Sequence, residues 1–265
     1  MKNFYNDSIE NNNIQDASSY DEHGNPEGSV YDLGRDGAFN RYAILIGEIY
    51  VNVEYNIECI QKPINALKKK GFKVKYVTNR TDFISELQTN KYKIAWVICS
   101  KSSEDNNIVS SLTNFHAAGG AIFLLPDNEP FIYPASQFLN QKFGITLNGN
   151  YSGEKILTFK QNGQLEAGHF GQHAIFTGIQ NLYEGITICH PVYSTSESRA
   201  ILATVATSTD GNPNIAVYDP PATSTEGRLC LDCGFTKLYK NWDEAGTARY
   251  VVNASCWLTG IDRRK

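Results

Sequence analysis

Apolar and polar positions divide the chain into two textures. From Tyr42 to about Phe143, short apolar runs alternate with segments whose apolar residues recur every three or four positions. The runs Tyr42–Gly47, Lys93–Cys99 and Ala121–Leu125 are short and almost uniformly apolar, the signature of strands buried on both faces. Phe72–Thr78 alternates, with Phe72, Val74 and Tyr76 set against Lys73 and Lys75, and reads as a strand nearer an edge. Ile57, Ile60, Ile64 and Leu67 fall at helical spacing, and Lys68-Lys69-Lys70-Gly71 ends that pattern with positive charge and a C-cap glycine. Pro63 requires this helix either to begin there or to kink. Thr81 or Asp82 caps a short helix through Leu87, and Ile108–Ala118 forms a helix closed by Gly119-Gly120. The order β-α-β-α-β-α-β predicts right-handed crossovers around a parallel sheet.

Beyond Pro130 the texture changes. Ala135–Phe143 reads as a helix stopped by Gly144. Short strands then follow at Lys155–Phe159, Ile186–His190, Ile201–Thr207, Asn214–Tyr218 and Leu229–Cys233, with a hairpin turn at Gly211-Asn212-Pro213. Ala245–Leu258 closes the chain as a helix with Ala248, Val251, Val252, Ser255 and Cys256 at inward spacings. Residues 1–38 are rich in Asn, Asp, Ser and Gly, too poor in aliphatic side chains to offset the entropy of ordering, and read as a disordered tail that docks at Tyr31–Arg35. The expected organisation is one domain over residues 39–262.

Composition narrows the function classes. With 265 residues, 41% of them hydrophobic, the chain can bury one large core. A net charge of −4, with lysines scattered, argues against a nucleic-acid surface or an anionic membrane as partner. The runs Lys68-Lys69-Lys70 and Arg263-Arg264-Lys265 read as solvated helix ends. No apolar run approaches the roughly 20 residues of a membrane span, and the N-terminus lacks the apolar core of a signal peptide, so the expected location is cytoplasmic. Six cysteines, most of them inside predicted elements, read as reduced small hydrophobes.

The candidate chemistry centres on the strand after Gly119-Gly120, which breaks at Pro126 into Asp127-Asn128-Glu129. In open α/β sheets ligands bind outside the carboxyl ends of the strands, so these side chains are candidate ligand or acid–base groups, or else simply satisfy loop amides or cap the next helix. Gly47 and Glu48 end the first strand, Ser100 follows the buried run Lys93–Cys99, and Asp232 interrupts the last strand, which adds them to the ligand-binding set. His190 ends another strand and is the candidate acid–base partner of Asp127 or Glu129. Cys230-Leu231-Asp232-Cys233 contains a C-x-x-C, but a strand sends its two thiols to opposite faces, which leaves no metal or cofactor site. His169 and His173 lie in a glycine-rich loop and read as surface histidines; His116, late in a helix, reads as a dipole contact or an exposed residue. The connection Phe235–Tyr250 is dense in aromatic and charged residues and reads as a lid or interaction surface, with Lys237, Trp242 and Arg249 foremost.

The opening strand Ala43–Gly47, the helix-Gly119-Gly120-strand unit, the phrase His173–Ile179, and Gly227–Asp232 followed by Asn253–Leu258 together resemble the class I glutamine amidotransferase-like superfamily, particularly its trehalose-utilisation (ThuA-like) branch, over about residues 42–260. The resemblance implies a flavodoxin-like three-layer α/β sandwich with a mostly parallel central sheet and extra strands in the C-terminal half. It also implies a nucleophilic cysteine at the turn after the Gly-Gly-strand unit, where this chain has Leu125-Pro126-Asp127-Asn128-Glu129. In the family's His-Pro-Glu step, His190-Pro191 is followed here by Val192. Two readings of function follow. One is a non-catalytic module binding a small molecule or a protein partner at the strand ends, without a cofactor. The other is a hydrolase or isomerase acting on a polar, sugar-like substrate with Asp127 or Glu129 and His190.

Overall fold

The computed structural model describes residues 4–6, 17–51 and 57–263. Its first half follows the pattern of buried runs: β1 Ala43–Ile49, α1 Ile57–Lys69, β2 Lys73–Val77, α2 Arg80–Leu87, β3 Ile94–Cys99, α3 Asn106–Ala117, β4 Ala121–Pro126 and α4 Ala135–Phe143. The second half contributes β5 Ile145–Ser152, β6 Ile156–Phe159, β7 His169–Phe170, β8 Asn181–Tyr183, β9 Thr187–Tyr193, α5 Ser196–Ile201, β10 Ala203–Thr207, β11 Pro213–Tyr218, β12 Leu229–Asp232, α6 Lys237–Lys240 and α7 Thr247–Leu258. α1 runs through Pro63 without interruption.

Ten strands form one sheet in the order β2-β1-β3-β4-β12-β11-β10-β7-β6-β8. The first five are mutually parallel, and β12-β11-β10-β7 continue antiparallel. Strands β5 and β9 pair antiparallel in a separate two-stranded sheet. This is the flavodoxin-like layered α/β arrangement with an added antiparallel wing.

Side chains alternate faces along each strand, and the two faces bury separate clusters. Ile44, Ile46, Trp96, Ile98, Phe123, Leu125 and Cys230 pack with α1, α6 and α7. Leu45, Val97, Leu124, Leu231 and Cys233 pack with α2, α3, α4, β5 and β9. The chain steps from β1 to β2 in one direction and then to β3 and β4 in the other, so α1 lies on the opposite face from α2 and α3, as right-handed crossovers require. The reversal between β1 and β3 is the topological switch point.

Two expectations about the polar segments are corrected. Residues 17–38 are not a disordered tail. Asn25 is buried and accepts the amides of Gln180 (2.7 Å) and Asn181 (3.0 Å), while its Nδ2 donates to the Asn181 carbonyl at 3.0 Å. The Leu33 amide donates to Asn253 Oδ1 at 2.7 Å. Hydrogen bonds to β8 and α7, with Leu33 as a single buried aliphatic anchor, order this segment, which is why its composition conceals it; residues 1–3 and 7–16 of the expected tail lie outside the described residues. Within the Lys68-Lys69-Lys70 run, Lys70 is buried between Asp32 (2.8 Å) and Asp36 (2.6 Å) instead of solvated.

His116 is also placed differently. It is fully buried, ringed by Phe138, Phe143 and Tyr218, and neither ring nitrogen has a hydrogen-bond partner. Burial pushes its pKa down to about 4 against the opposing pull of Glu226. A histidine held neutral in the fold contributes stability that is complete above its ordinary pKa of about 6.5 and is lost as pH falls toward 4, on the order of 3 kcal/mol. Urea unfolding between pH 7 and 4 should therefore show a steep acid limb that His116→Phe flattens. The limb should not vanish, because burial pushes His173 down to about 4 as well.

Candidate functional site

The carboxyl ends of β1, β3 and β4 converge at the switch point. Ser100, just past β3, donates from Oγ to Asp127 Oδ2 at 2.6 Å, joining the ends of β3 and β4. Asp127 Oδ1 accepts the Asn128 amide at 2.8 Å. Burial raises the pKa of Asp127, and the bonds from Ser100 and Asn128 oppose that rise. Asn128 closes its own loop: Nδ2 donates to the Glu129 carbonyl (3.0 Å), and its carbonyl accepts the Phe131 amide (2.7 Å). Neither Asp127 nor Asn128 caps α4, whose N-cap is Pro134.

The sequence reading missed a second group beside this rim. Asp105 caps α3, accepts Arg80 through Nε (2.7 Å) and Nη2 (3.0 Å), and accepts the Tyr50 hydroxyl at 2.7 Å. Burial works to raise its pKa, yet the Arg80 and Tyr50 bonds hold it well below the usual carboxylate range. Lys101 lies 3.6 Å from Asp105 and 4.5 Å from the centre of the Tyr50 ring. Tyr50 itself has φ of 62°, a left-handed backbone that a bulky residue adopts only when its surroundings enforce it. The sequence signal for this group is slight: Asp105 stands three residues before the helical run that starts at Ile108. Tyr50 and Phe131, 39% and 43% exposed, present aromatic surface at the same rim.

The other expected residues divide. Gly47 lies in β1 against Phe83, whose ring a Cβ would meet at 2.3 Å, so this glycine serves packing. Glu48 is buried and accepts the hydroxyls of Tyr76 and Tyr239, the latter at 2.8 Å. Asp232, expected at the open rim, is fully buried: Oδ1 accepts the Gly234 amide (2.9 Å), and Oδ2 lies 2.9 Å from the Lys237 ammonium.

Glu129 is exposed, and its Oε2 accepts the Gly149 amide at 3.1 Å. His190 does not end its strand but lies in the middle of β9, paired with Asn148; a Cβ on Gly149 would fall 2.8 Å from its Nδ1. Glu129 and His190 therefore flank Gly149. Among the described residues no hydrogen bond joins His190 to either carboxylate.

The expected interaction loop is largely internal. Lys237 is fully buried and Trp242 nearly so. Arg249 donates to Asp32 Oδ1 (2.8 Å) and to the carbonyls of Gly178 (2.7 Å) and Gly28 (3.0 Å), tying the N-terminal segment to α7. Lys237 and the Arg249 guanidinium thus both make contacts that hold the fold together. An open groove of about 540 Å³ runs between Asp21–Gly28 and Trp242–Arg249.

No protein-family model matches this sequence, and no curated protein matches it significantly. Solved structures do resemble it. The mmIFT52 N-terminal domain superposes with a TM-score of 0.56 at 11% identity, covering 82% of this chain and 97% of that one. A cytoplasmic protein from Salmonella typhimurium superposes equally well, at 12% identity over 82% of this chain and 98% of its own. A putative ThuA-like protein from Parabacteroides merdae superposes more loosely, with a TM-score of 0.46 at 11% identity over 82% and 89% of the two chains. For the first two, at these identities, the likeness establishes the shared α/β fold alone. No helix among the described residues is long and apolar enough to cross a membrane.

Proposed function

We propose that the chain is a non-catalytic, amidotransferase-like binding module that takes a small polar molecule or a segment of a protein partner at the carboxyl ends of its parallel strands. The observation that carries this reading is the Ser100–Asp127 pair at the switch point, half-open and flanked by Tyr50 and Phe131. The position after β4 carries Asp127 instead of a thiol, and Cys99, Cys189, Cys230, Cys233 and Cys256 are all buried, which speaks against glutamine hydrolysis. The hydrolase or isomerase reading has less support, since Glu129 is engaged by the Gly149 amide and His190 stands behind Gly149. The buried free thiols fit a reducing, cytoplasmic location.

A thermal-shift screen of polar metabolites tests the proposal, because any ligand specific to the native state raises apparent stability. A compound that stabilises the native protein should lose its effect on Asp127→Ala. The variant's own midpoint should stay near the native one, since the lost hydrogen bonds are worth only about 1 kcal/mol each. A shift that survives Asp127→Ala would place the ligand elsewhere and overturn the reading.

A further inference from the structure

One register row crosses four adjacent strands at their carboxyl ends. Glu48 of β1 pairs with Ile98 of β3, and Ile98 with Leu125 of β4. Leu124 pairs with Leu231 of β12, which brings Asp232 into the next position beside Leu125. Alternation puts all four side chains on the face occupied by α1, α6 and α7. The row therefore reads carboxylate, apolar, apolar, carboxylate. Three interstrand steps of about 4.8 Å separate its acidic ends by roughly 14 Å along the sheet.

Helix α6 covers this row with complementary chemistry. Lys237 sets its ammonium 2.9 Å from Asp232, Tyr239 donates its hydroxyl to Glu48 at 2.8 Å, and Phe235 and Leu238 join the buried cluster of Ile98 and Leu125. The fit is imperfect. Lys237 Nζ and Asp232 Oδ2 touch without hydrogen-bond alignment, and Thr236 Oγ1, Asn241 Oδ1 and Thr247 Oγ1 are buried without partners. Three buried polar atoms without a hydrogen-bond partner thus fall in residues 236–247, which lowers the cost of displacing this segment, while the Asp232–Lys237 ion pair opposes it. Gly234 and Gly246 bound the connection, the latter with φ of 72°.

We infer that α6 is an intramolecular plug, and that the ligand displacing it is a linear aliphatic polyamine. Such a molecule places one ammonium on Asp232, another near Glu48, and its methylene chain over Ile98 and Leu125. The site lies at the same rim as the Ser100–Asp127 pair, two residues before it along β3 and β4, and uses different carboxylates.

Titration calorimetry with spermine, spermidine and putrescine, joined to hydrogen exchange, tests the inference. Spermine should bind more tightly than putrescine, whose shorter chain cannot span the row, and amides of residues 235–241 should exchange faster when spermine is bound. Glu48→Gln should weaken spermine by about tenfold or more. Asp127→Ala should weaken spermine far less than Glu48→Gln does, which distinguishes this site from the one proposed above. Should Glu48→Gln fail to fold, Tyr239→Phe removes one hold of the plug while keeping both carboxylates, and it should tighten spermine binding. Absence of spermine binding at millimolar concentration, equal binding of putrescine, or indifference to Glu48→Gln and Tyr239→Phe would overturn the inference.

Discussion

Lys237→Met should destabilise the protein by about 3–5 kcal/mol, because it removes the paired cation from a carboxylate that has no access to solvent. Asp232 would keep the Gly234 amide, at 2.9 Å, but would lose the ammonium at the same distance. The Lys237 ammonium also stands 5.2 Å from the centre of the Tyr250 ring, a contact the variant gives up as well. Pairing the change with Asp232→Asn should recover most of the loss, since the stranded charge is then gone. Urea unfolding of the two single variants and the double variant measures this directly. A single-variant cost within about 0.5 kcal/mol of zero would mean that the ion pair is not closed off from water.

The second large effect is expected at Gly227, at the entry to β12. A Cβ there would meet the Gly120 carbonyl oxygen at 2.0 Å and carbon at 2.4 Å, and the Ala121 nitrogen at 2.7 Å. All three are backbone atoms at the start of β4, fixed by the Gly120 amide bond to Phe115 and by the β3–β4 and β4–β12 ladders. Nothing flexible can move aside, so Gly227→Ala must separate β12 from β4 and should cost about 4 kcal/mol or more. Gly211 provides the contrast. It has open space around it and a φ of 88°, so Gly211→Ala should cost only the left-handed backbone penalty of about 1 kcal/mol. Equal unfolding midpoints for the two alanine variants would contradict the close approach of β12 to β4.

Much of the fold was legible because its central strands are buried on both faces. Ala95–Cys99 and Ala121–Leu125 have no polar residue to show, and only a parallel sheet covered on both sides accommodates such runs. The antiparallel wing was harder to read. β5, with the sequence Ile-Thr-Leu-Asn-Gly-Asn-Tyr-Ser, has a register shift at its middle and does not read as a strand, and Pro191 ends the reading of its partner β9 at His190. That is why His190 was placed at a strand end when it lies in the strand interior. Residues 17–38 were misread for a different reason: composition records apolar surface but not the hydrogen bonds that Asn25 and Asp32 make to distant backbone and to Arg249.

At the site, the expectation that held physically is position. Asp127 and Asn128 do lie past the end of a central parallel strand, with Ser100 beside them. Partnership was beyond the sequence. Nothing in the chain says that Asp232 meets Lys237 five residues on, or that Glu48 receives Tyr239 from nearly two hundred residues away. Both acids were read as open ligand groups, and both are covered by the same short helix.

The proposed ligand site is the carboxyl rim where β1, β3 and β4 meet. The most direct test is a crystal structure of the protein with whichever metabolite raises its unfolding temperature most. Polar atoms of that compound should lie within about 3 Å of Ser100 Oγ or the Asp127 carboxylate. A compound seated instead in the groove between Pro26 and Trp242, with the Ser100–Asp127 bond undisturbed, would contradict the account.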